Sequence, residues 1–171
     1  MKKIACFEKV SFDNFKDAFL KYKENTPLPI IQKIYDDIIL PKRATKGSAG
    51  YDFFMIDADV IKSNQTLLIP TGIRCKMEPG WVLNIYPRSS LGFKYRLQLD
   101  NTVGIIDSDY YYSDNEGHIF IKITSDAKTE KELLLKKGMA FAQGIFLEYG
   151  ITYDDDVTEE RNGGFGSTNK I

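Results

Sequence analysis

Two acidic residues, with one residue between them, follow an apolar pair near the middle of the chain. Asp107 comes after Ile105 and Ile106, and Asp109 lies two residues further along. Residues two apart in a β-strand point to the same face, so a strand here would place both carboxylates on one side. A carboxylate in the wall of a pocket can act as a general base. The pattern is also typical of a turn in which Asp side chains cap a hairpin arm, and the residues alone leave both interpretations open.

Two loops combine basic side chains with small or hydroxyl-bearing residues. The segment 87–92 follows a predicted strand and contains Arg88, Ser89 and Ser90. A guanidinium beside two hydroxyls suits an anion, although the same residues also form ordinary turns at the end of a strand. The segment 43–52 is a second basic loop, and it ends on Asp52. Both loops are therefore candidates for contact with a negatively charged ligand.

The C-terminal end has the most unusual composition of the chain, with three glycines around Phe165 within four positions. Backbone N–H groups of a glycine-rich segment can surround phosphate oxygens. The guanidinium of Arg161 and the hydroxyls of Ser167 and Thr168 suit phosphate as well. The alternative is an arm that binds no ligand. A P-loop is excluded, because Lys170 is not followed by Ser or Thr.

These candidate residues need elements that position them, and the first predicted element is an amphipathic helix at 11–22. Apolar side chains recur there at steps of three and four residues, with charged residues between them. Ser11 is suited to cap the start of the helix, and Pro27 and Pro29 lie past its end. The helix carries no residues that suggest chemistry and is predicted to pack on the main domain.

Short apolar runs separated by Gly, Pro, Asn and Asp continue from residue 30 to about residue 153, where the helical period is mostly absent. They predict strands at 66–73, 81–86 and 119–124. The segment 128–137 is predicted to be a hairpin loop that leads into another strand. Many short strands indicate a mainly β domain, built as a sandwich or a barrel.

The length of 171 residues suits one domain with an appendage, since a domain has roughly 150 residues. The predicted organisation is a helical extension at 1–29, a β domain at 30–153 and a flexible C-terminal arm at 154–171. The arm begins with an acidic run and ends in the glycine-rich segment.

Composition and charge exclude several classes of protein. A formal net charge of -1 does not provide the sustained basic surface that nucleic acid requires. No apolar run reaches the ~18 residues of a membrane span, so no membrane partner is expected. Cys6 and Cys75 have no CxxC neighbour, which argues against a zinc site or a disulfide framework and favours the cytoplasm. The only histidine, His118, is predicted to be a packing or surface residue.

Taken in order, five segments of the chain resemble the five motifs of the homotrimeric dUTP diphosphatases (dUTPases). The segments are 48–52, 87–92, 104–110 together with Asn101, 138–143 and 161–168. One such motif is a weak signal, whereas five in the same order are specific. The resemblance implies a jelly-roll-like β-barrel, three subunits with active sites at their interfaces, and an arm that closes over the bound nucleotide.

The resemblance also implies a role for residues of the third motif. Asp107 would orient and deprotonate a water for in-line attack on the α-phosphorus of dUTP, releasing pyrophosphate and dUMP. Tyr110 would pack on the deoxyribose and leave no room for a 2′-hydroxyl, and Asn101 would bind the uracil edge. Such an enzyme keeps uracil out of DNA and supplies dUMP for thymidylate synthesis.

The remaining site residues implied by the resemblance bind phosphate, uracil and metal. The phosphate chain would be held by Arg88, Ser89, Ser90 and Gln143. In the arm, Phe165 would stack on uracil, and the γ-phosphate would be bound by Arg161, Gly166, Ser167 and Thr168. Asp52 would reach, through water, an Mg²⁺ ion that is held mainly by the three phosphates.

The motifs depart from the family pattern in three places. Ser90 stands where a glycine is common, which changes the backbone approach to phosphate. The segment 111–117 replaces a short continuation of the third motif and lengthens the predicted hairpin tip. Met139 and Ala140 stand where an acidic and a basic residue are frequent, so no ion pair is expected there.

Two other functions remain as alternatives. A dCTP deaminase shares the fold and the trimer, but it needs a glutamate on the strand after the third motif, where residues 118–123 contain no acid. A binding protein with this fold would engage a regulator through the N-terminal helix or the segment 111–117. Catalysis requires the Asp107 carboxylate, whereas binding of a regulator does not. Substitution of Asp107 therefore distinguishes an enzyme from a binding protein.

Overall fold

The computed structural model describes residues 2–126, 132–159 and 161. Its helices are α1 (Phe12–Tyr22), α2 (Leu28–Asp36) and α3 (Ser89–Tyr95), and a 3₁₀ helix spans Ser108–Tyr112. Its strands are β1 (Ala5–Lys9), β2 (Lys42–Arg43), β3 (Tyr51–Phe54), β4 (Asp59–Ile61), β5 (Thr66–Pro70), β6 (Ile73–Met77), β7 (Trp81–Pro87), β8 (Leu97–Leu99), β9 (Gly104–Ile106), β10 (Phe120–Ser125), β11 (Leu133–Leu135) and β12 (Ala140–Glu148). The predicted mainly β class is confirmed. None of the described helices has the length and apolar character needed to cross a lipid bilayer.

The strands form four antiparallel sheets within the described ranges. The largest sheet has the order β2-β3-β12-β7-β9, and a second has the order β5-β10-β8. The pairs β1-β6 and β11-β4 complete the set. Hydrogen bonds among the described residues do not join these sheets into one closed barrel, but the buried faces of the sheets meet in a single hydrophobic core.

The longest strand, β12, brings three sequence motifs side by side. Gln143 of β12 lies opposite Asp52 of β3 on one edge and opposite Tyr86 of β7 on the other. Gly144 permits this close packing, because a Cβ at that position would lie 2.8 Å from Leu83 Cδ1. The first, second and fourth motifs therefore meet on one sheet.

Helix α1 confirms the prediction made from residue spacing. The Ser11 hydroxyl accepts a hydrogen bond from the Asn14 backbone N–H at 3.2 Å and caps the start of the helix. Phe15 and Phe19 are fully buried and belong to the same core as the strands. Burial of a side chain of this size stabilises a fold by roughly 1.5 to 3 kcal/mol. The N-terminal helix is thus packed on the main core.

Two other elements near the N-terminus differ from the prediction. The expectation of a mostly helix-free chain from residue 30 is wrong, because α2 continues to Asp36. Pro27 caps this helix and Pro29 lies in its first turn, where the missing proline N–H is not needed. Strand β1 was not predicted, because its partner β6 is distant in sequence and a short strand is defined by its pairing.

Three other segments also differ in detail. The predicted strand at 66–73 is divided into β5 and β6, since Thr71 and Gly72 interrupt it and Gly72 has a φ of +71°. The residues after Arg88 form α3 and not a simple turn. The segment 128–137, predicted to be a hairpin loop, contains strand β11, so the prediction is wrong at residues 133–135, where pairing with the distant β4 defines a strand. Residues 128–131 of that segment lie outside the described residues.

His118 is a packing residue, fully buried between three parts of the chain. Its Nε2 accepts a hydrogen bond from the Gly72 backbone N–H at 2.9 Å. The proton of the neutral ring therefore lies on Nδ1, which donates to Asn14 Oδ1 at 2.8 Å. Burial lowers the pKa of His118 to about 4, and the nearby Glu116 carboxylate offsets only part of this effect.

We expect the fold to lose stability in acid because of His118. The unfolded imidazole takes up its proton near pH 6.5 and the folded one only near pH 4. The stabilising effect of the neutral ring is therefore complete above pH 6.5 and is lost as the pH falls toward 4. The loss corresponds to about 3 kcal/mol and is measured by urea denaturation across this range.

The variant His118→Gln should show a flatter pH dependence of the free energy of unfolding in the same window. Because His118 is the only histidine, its NMR titration reports the pKa directly. A midpoint near 6.5 in the folded protein would contradict the buried, doubly hydrogen-bonded imidazole.

Candidate functional site

The first groove has a volume of about 640 Å³ and lies between the turn from β8 to β9 and the 3₁₀ helix. Aliphatic side chains such as Val103 and Ile106 form much of its wall. Its polar lining includes Lys21, Asp100, Asn101, Asp107, Tyr110, Lys122 and Arg161. The three residues to which the third motif assigns roles therefore line one cavity.

Asp107 lies where β9 ends and the 3₁₀ helix begins. Its backbone C=O accepts a hydrogen bond from the Tyr110 N–H at 3.2 Å, so Asp107 caps this helix and does not continue the strand. Its carboxylate is 44% exposed and forms an ion pair with the Arg161 guanidinium. Arg161 Nε also donates to Asp109 Oδ1 at 2.9 Å. The two carboxylates thus contact the same cation, although the residues are not in a strand.

The hydroxyl of Tyr110 is held by two hydrogen bonds. It donates to the His118 backbone C=O at 2.8 Å and accepts from Asn115 Nδ2 at 2.8 Å. The side chain is only 6% exposed, and burial raises the pKa of the phenol. The hydroxyl is therefore neutral at physiological pH, and the residue is fixed at the wall of the first groove.

Asn101 lies in the tight turn between β8 and β9. Thr102 has a φ of +65°, and the Val103 N–H donates to the Asn101 C=O at 2.7 Å. At the base of this turn, Asp100 forms an ion pair with Lys122 Nζ at 2.8 Å. The hydrogen bond from Lys122 lowers the pKa of Asp100. The turn that carries Asn101 is thus fixed to β10 at the rim of the groove.

The second groove, of about 360 Å³, lies where β3, β7 and β12 meet. Its lining residues are Ala44, Ser48, Ala49, Gly50, Asp52, Arg88, Ser89, Gln143 and Ile145. It combines a guanidinium, hydroxyls and an amide with a single carboxylate. Apart from that carboxylate, these groups suit an anion such as a phosphate chain. The two grooves share no lining residue.

Three side chains define the geometry of the second groove. Arg88 Nε lies 3.4 Å from Asp52 Oδ1, and Gln143 Nε2 donates to the Pro87 C=O at 3.4 Å. Gly50 makes room for the amide, because a Cβ there would lie 2.6 Å from Gln143 Oε1. Arg88 and Gln143 are therefore positioned by neighbours from other parts of the chain.

Some predicted site residues are not in either groove. Ser90 is exposed in α3 and is not part of the lining of the second groove. The roles of Phe165, Gly166, Ser167 and Thr168 stay predictions, because these residues lie outside the described residues.

Two residues that shape the grooves were not singled out from the sequence. Gly50 belongs to a run of small residues just before Asp52, so its position was a usable signal. Asn115 holds the Tyr110 hydroxyl, but it lies in the segment 111–117, whose sequence has no pattern that points to this contact.

The described residues contain no cluster of three or more Asp, Glu, His or Cys side chains that could hold a metal ion. The second groove offers one carboxylate, Asp52, whose side chain is 15% exposed. Mg²⁺ in nucleotide sites takes most of its oxygen ligands from phosphates and water. A single carboxylate suits such a substrate-held ion and does not suit a metal caged by the protein alone.

Comparison with known proteins assigns the fold and motifs to a family. The family model for dUTPase matches residues 36–169. The chain belongs to the dUTPase family. The deoxyuridine 5'-triphosphate nucleotidohydrolase of Lactococcus lactis subsp. lactis (strain IL1403) is 42% identical to it over 134 residues, or 77% of this chain and 88% of that protein. In this dUTPase, β1, α1 and nearly all of α2 precede the matched region.

Two solved structures are similar in fold. The crystal structure of a dUTPase from Streptococcus mutans has a TM-score of 0.63 and 32% identity, and the match covers 85% of this chain and 97% of that one. A variant dUTPase from phage phi11 of S. aureus, solved with a structural Mg(II) ion, has a TM-score of 0.60 and covers 92% of this chain and 98% of that one. At 18% sequence identity, this match supports a shared fold and nothing further.

We predict that Gly50→Ala weakens dUTP binding by the dUTPase without unfolding it. The new methyl group displaces the Gln143 amide, which is the flexible end of a side chain. Loss of one hydrogen bond to substrate corresponds to about a tenfold rise in KM. Gly47→Ala in the same loop is the matched control, since a Cβ there has no neighbour within 4 Å. Equal KM values for dUTP in the two variants would contradict the role given to Gln143.

Proposed function

We propose that this dUTPase hydrolyses dUTP to dUMP and pyrophosphate with Asp107 as the general base. The observation that carries this proposal is the first groove, in which the Asp107 carboxylate shares an otherwise largely apolar cavity with Tyr110 and Asn101. Asp107 accepts a proton from water, and the water oxygen bonds to the α-phosphorus. The bond from the α-phosphorus to the oxygen bridging to the β-phosphorus breaks, and that oxygen leaves with pyrophosphate.

Substrate selection in the first groove depends on Tyr110 and Asn101. The Tyr110 side chain cannot move freely, because two hydrogen bonds hold its hydroxyl and almost all of its surface is buried. A fixed ring beside the sugar leaves no space for a 2′-hydroxyl and favours deoxyribose. Asn101 and the backbone of its tight turn provide hydrogen bonds for the edge of uracil.

The phosphate chain binds in the second groove through Arg88, Ser89 and Gln143, with Ser90 assigned to the same role by its motif. The two grooves share no lining residue, which supports a site in which different copies of the chain bring Asp107 of the first groove next to Arg88 of the second. We propose the homotrimer that is typical of the family as the assembly that does this. Precise placement of phosphate against the base then supplies much of the rate enhancement.

The C-terminal arm completes the site in this proposal. Arg161 contacts Asp107 and Asp109, so a triphosphate competes with two carboxylates for the guanidinium. When phosphate oxygens take the guanidinium, Asp107 is released to contact water. Phe165 stacks on uracil, and the γ-phosphate is bound by Arg161, Gly166, Ser167 and Thr168.

Mg²⁺ is the proposed cofactor, with Asp52 reaching it through water. When bound, the ion neutralises phosphate charge and orients the triphosphate for attack. The position of Asp52 in the groove with Arg88 and Gln143 supports this assignment. The chain's own contribution is to hold one carboxylate at the phosphate site with Arg88 beside it.

We also propose that the enzyme works in the cytoplasm, on free nucleotide and without nucleic acid or membrane partners. Both cysteines, Cys6 and Cys75, are free, as in a reducing compartment. There the enzyme keeps uracil out of DNA and supplies dUMP for thymidylate synthesis.

We predict that Asp107→Asn lowers the rate of pyrophosphate release from dUTP by several orders of magnitude. The amide is nearly the same size as the carboxylate but cannot accept the proton of water. Calorimetry with dUTP and Mg²⁺ should show that binding is kept, and size-exclusion chromatography should show that assembly is kept. Unchanged turnover would contradict Asp107 as the base.

A panel of deoxynucleoside triphosphates with Mg²⁺ tests the reaction itself. We expect pyrophosphate from dUTP and little from dTTP, dCTP or UTP. Ammonia release from dCTP at a comparable rate would establish a deaminase instead, and the absence of both products would favour a binding protein.

A further inference from the structure

The N-terminal extension contacts the loop that carries Asp107 and Tyr110. Residue Asn14 of α1 lies before residue 36, where the dUTPase family match begins. Its side chain nevertheless forms hydrogen bonds to two residues that follow the 3₁₀ helix, at sequence separations of more than 100 residues. These bonds connect an element outside the family match to the first groove.

The hydrogen bonds of Asn14 have defined directions. Its Oδ1 accepts from His118 Nδ1 at 2.8 Å, because His118 Nε2 is occupied as an acceptor of the Gly72 N–H. Its Nδ2 donates to the Asn115 backbone C=O at 3.1 Å. One amide side chain therefore holds both His118 and Asn115 in place.

The same two residues are the partners of the Tyr110 hydroxyl. Asn115 Nδ2 donates to that oxygen, and the hydroxyl donates to the His118 C=O, both at 2.8 Å. Asn115 Oδ1 accepts the Gly117 N–H at 3.2 Å, so both polar ends of its amide are also paired. Asn14 is thus connected to Tyr110 through one intermediate residue on each of two paths, Asn115 on one and His118 on the other.

We propose that Asn14 is a positioning residue for sugar selection, which sets the place of the Tyr110 ring through Asn115 and His118. This inference rests on the proposed function, in which that ring excludes the 2′-hydroxyl of a ribonucleotide. Loss of the Asn14 amide removes the hydrogen bonds that hold the Asn115 backbone and the His118 ring to α1. The Tyr110 ring then has room to shift, and the enzyme accepts UTP more readily relative to dUTP.

A second contact between the two segments does not involve this path. The Glu116 carboxylate accepts from the Ser11 N–H at 2.7 Å and from the Ser11 hydroxyl at 2.6 Å. This contact keeps the loop attached to the start of α1 when the Asn14 amide is removed. Substitution of Asn14 is therefore expected to alter the placement of Tyr110 more than the overall fold.

The test compares kcat/KM for dUTP and UTP in the full chain with Mg²⁺. We expect the ratio of kcat/KM for dUTP to that for UTP to fall about tenfold in Asn14→Ala, because both hydrogen bonds of the amide are lost and part of that loss reaches the Tyr110 ring. Asn14→Asp keeps the acceptor for His118 and the size of the side chain but loses the donor to Asn115, so its ratio should fall as well. The nearly isosteric Asp variant provides the test if the Ala variant does not fold.

Phe12→Leu is the matched control for weaker packing of α1. Phe12 contacts the Tyr35 ring at 5.4 Å between centroids, and its apolar side chain takes no part in the hydrogen bonds of the Asn14 path, so the dUTP to UTP ratio should stay at the wild-type value. A merely structural role of Asn14 would lower stability in the same way as Phe12→Leu and leave the ratio unchanged.

Tyr110→Ala separates this inference from the proposed function. We expect that variant to lose most of the discrimination against UTP. If Tyr110→Ala loses discrimination and both Asn14 variants keep it, the inference about Asn14 is overturned and the proposed function stands. If Tyr110→Ala keeps full discrimination, the role of Tyr110 in the proposed function is overturned, and the role of Asn14 with it.

Discussion

The imidazole of His118 is fully buried, and each of its two nitrogens has a hydrogen-bond partner in a different part of the chain. One partner is the turn between β5 and β6, and the other is helix α1. The backbone C=O of the same residue accepts the Tyr110 hydroxyl. A neutral ring in one tautomer is required for the two ring contacts, in which Nε2 accepts and Nδ1 donates. Burial enforces that state, because a second proton on the ring would have no acceptor and would carry a charge that the nearby Glu116 carboxylate offsets only in part.

This anchoring explains how the loop that carries the proposed site residues has a defined geometry. Asp107 lies at the junction of β9 and the 3₁₀ helix, and Tyr110 lies within that helix. The strand fixes one end of the loop, and the hydrogen bonds around His118 and Asn115 fix the other. The Asp107 carboxylate remains 44% exposed, which is consistent with the proposed role of a base that must reach water. The separation of the two grooves also keeps this carboxylate apart from the Arg88 guanidinium, which lines the second groove with Asp52.

Local patterns predicted the elements that are held together by neighbours in sequence. Helix α1 follows from its apolar spacing and its Ser11 cap, and strands β7 and β10 follow from their β-rich runs. Strand β1 was missed because its pairing with β6 is not local, and α2 was missed because Pro27 and Pro29 resemble a break although proline also suits a helix start. A local sequence pattern cannot identify β1 or α2, because each is defined by the elements on which it packs.

The sequence predicted only part of the candidate site, again because some of its contacts join distant parts of the chain. The five motifs identified Asp107, Tyr110 and Asn101, which line one groove, and Asp52, Arg88, Ser89 and Gln143, which line the other. The supporting residues Asn14 and Asn115 were not predicted, since a lone polar residue has no periodic or motif signal. Their role depends on contacts across more than 100 residues of sequence, which only the folded chain defines.

In the proposed assembly, Asp107 of one copy acts on phosphate that Arg88 of another copy holds, and mixed assemblies of two variants test this arrangement. Asp107→Asn and Arg88→Ala chains are each expected to be nearly inactive alone. When equal amounts are unfolded and refolded together, random assembly pairs an intact Asp107 with an intact Arg88 at about one quarter of the interfaces. We therefore expect the mixture to recover about one quarter of the wild-type rate of pyrophosphate release. A mixture that stays as inactive as the separate variants, with mixed assembly verified by mass spectrometry, would contradict it.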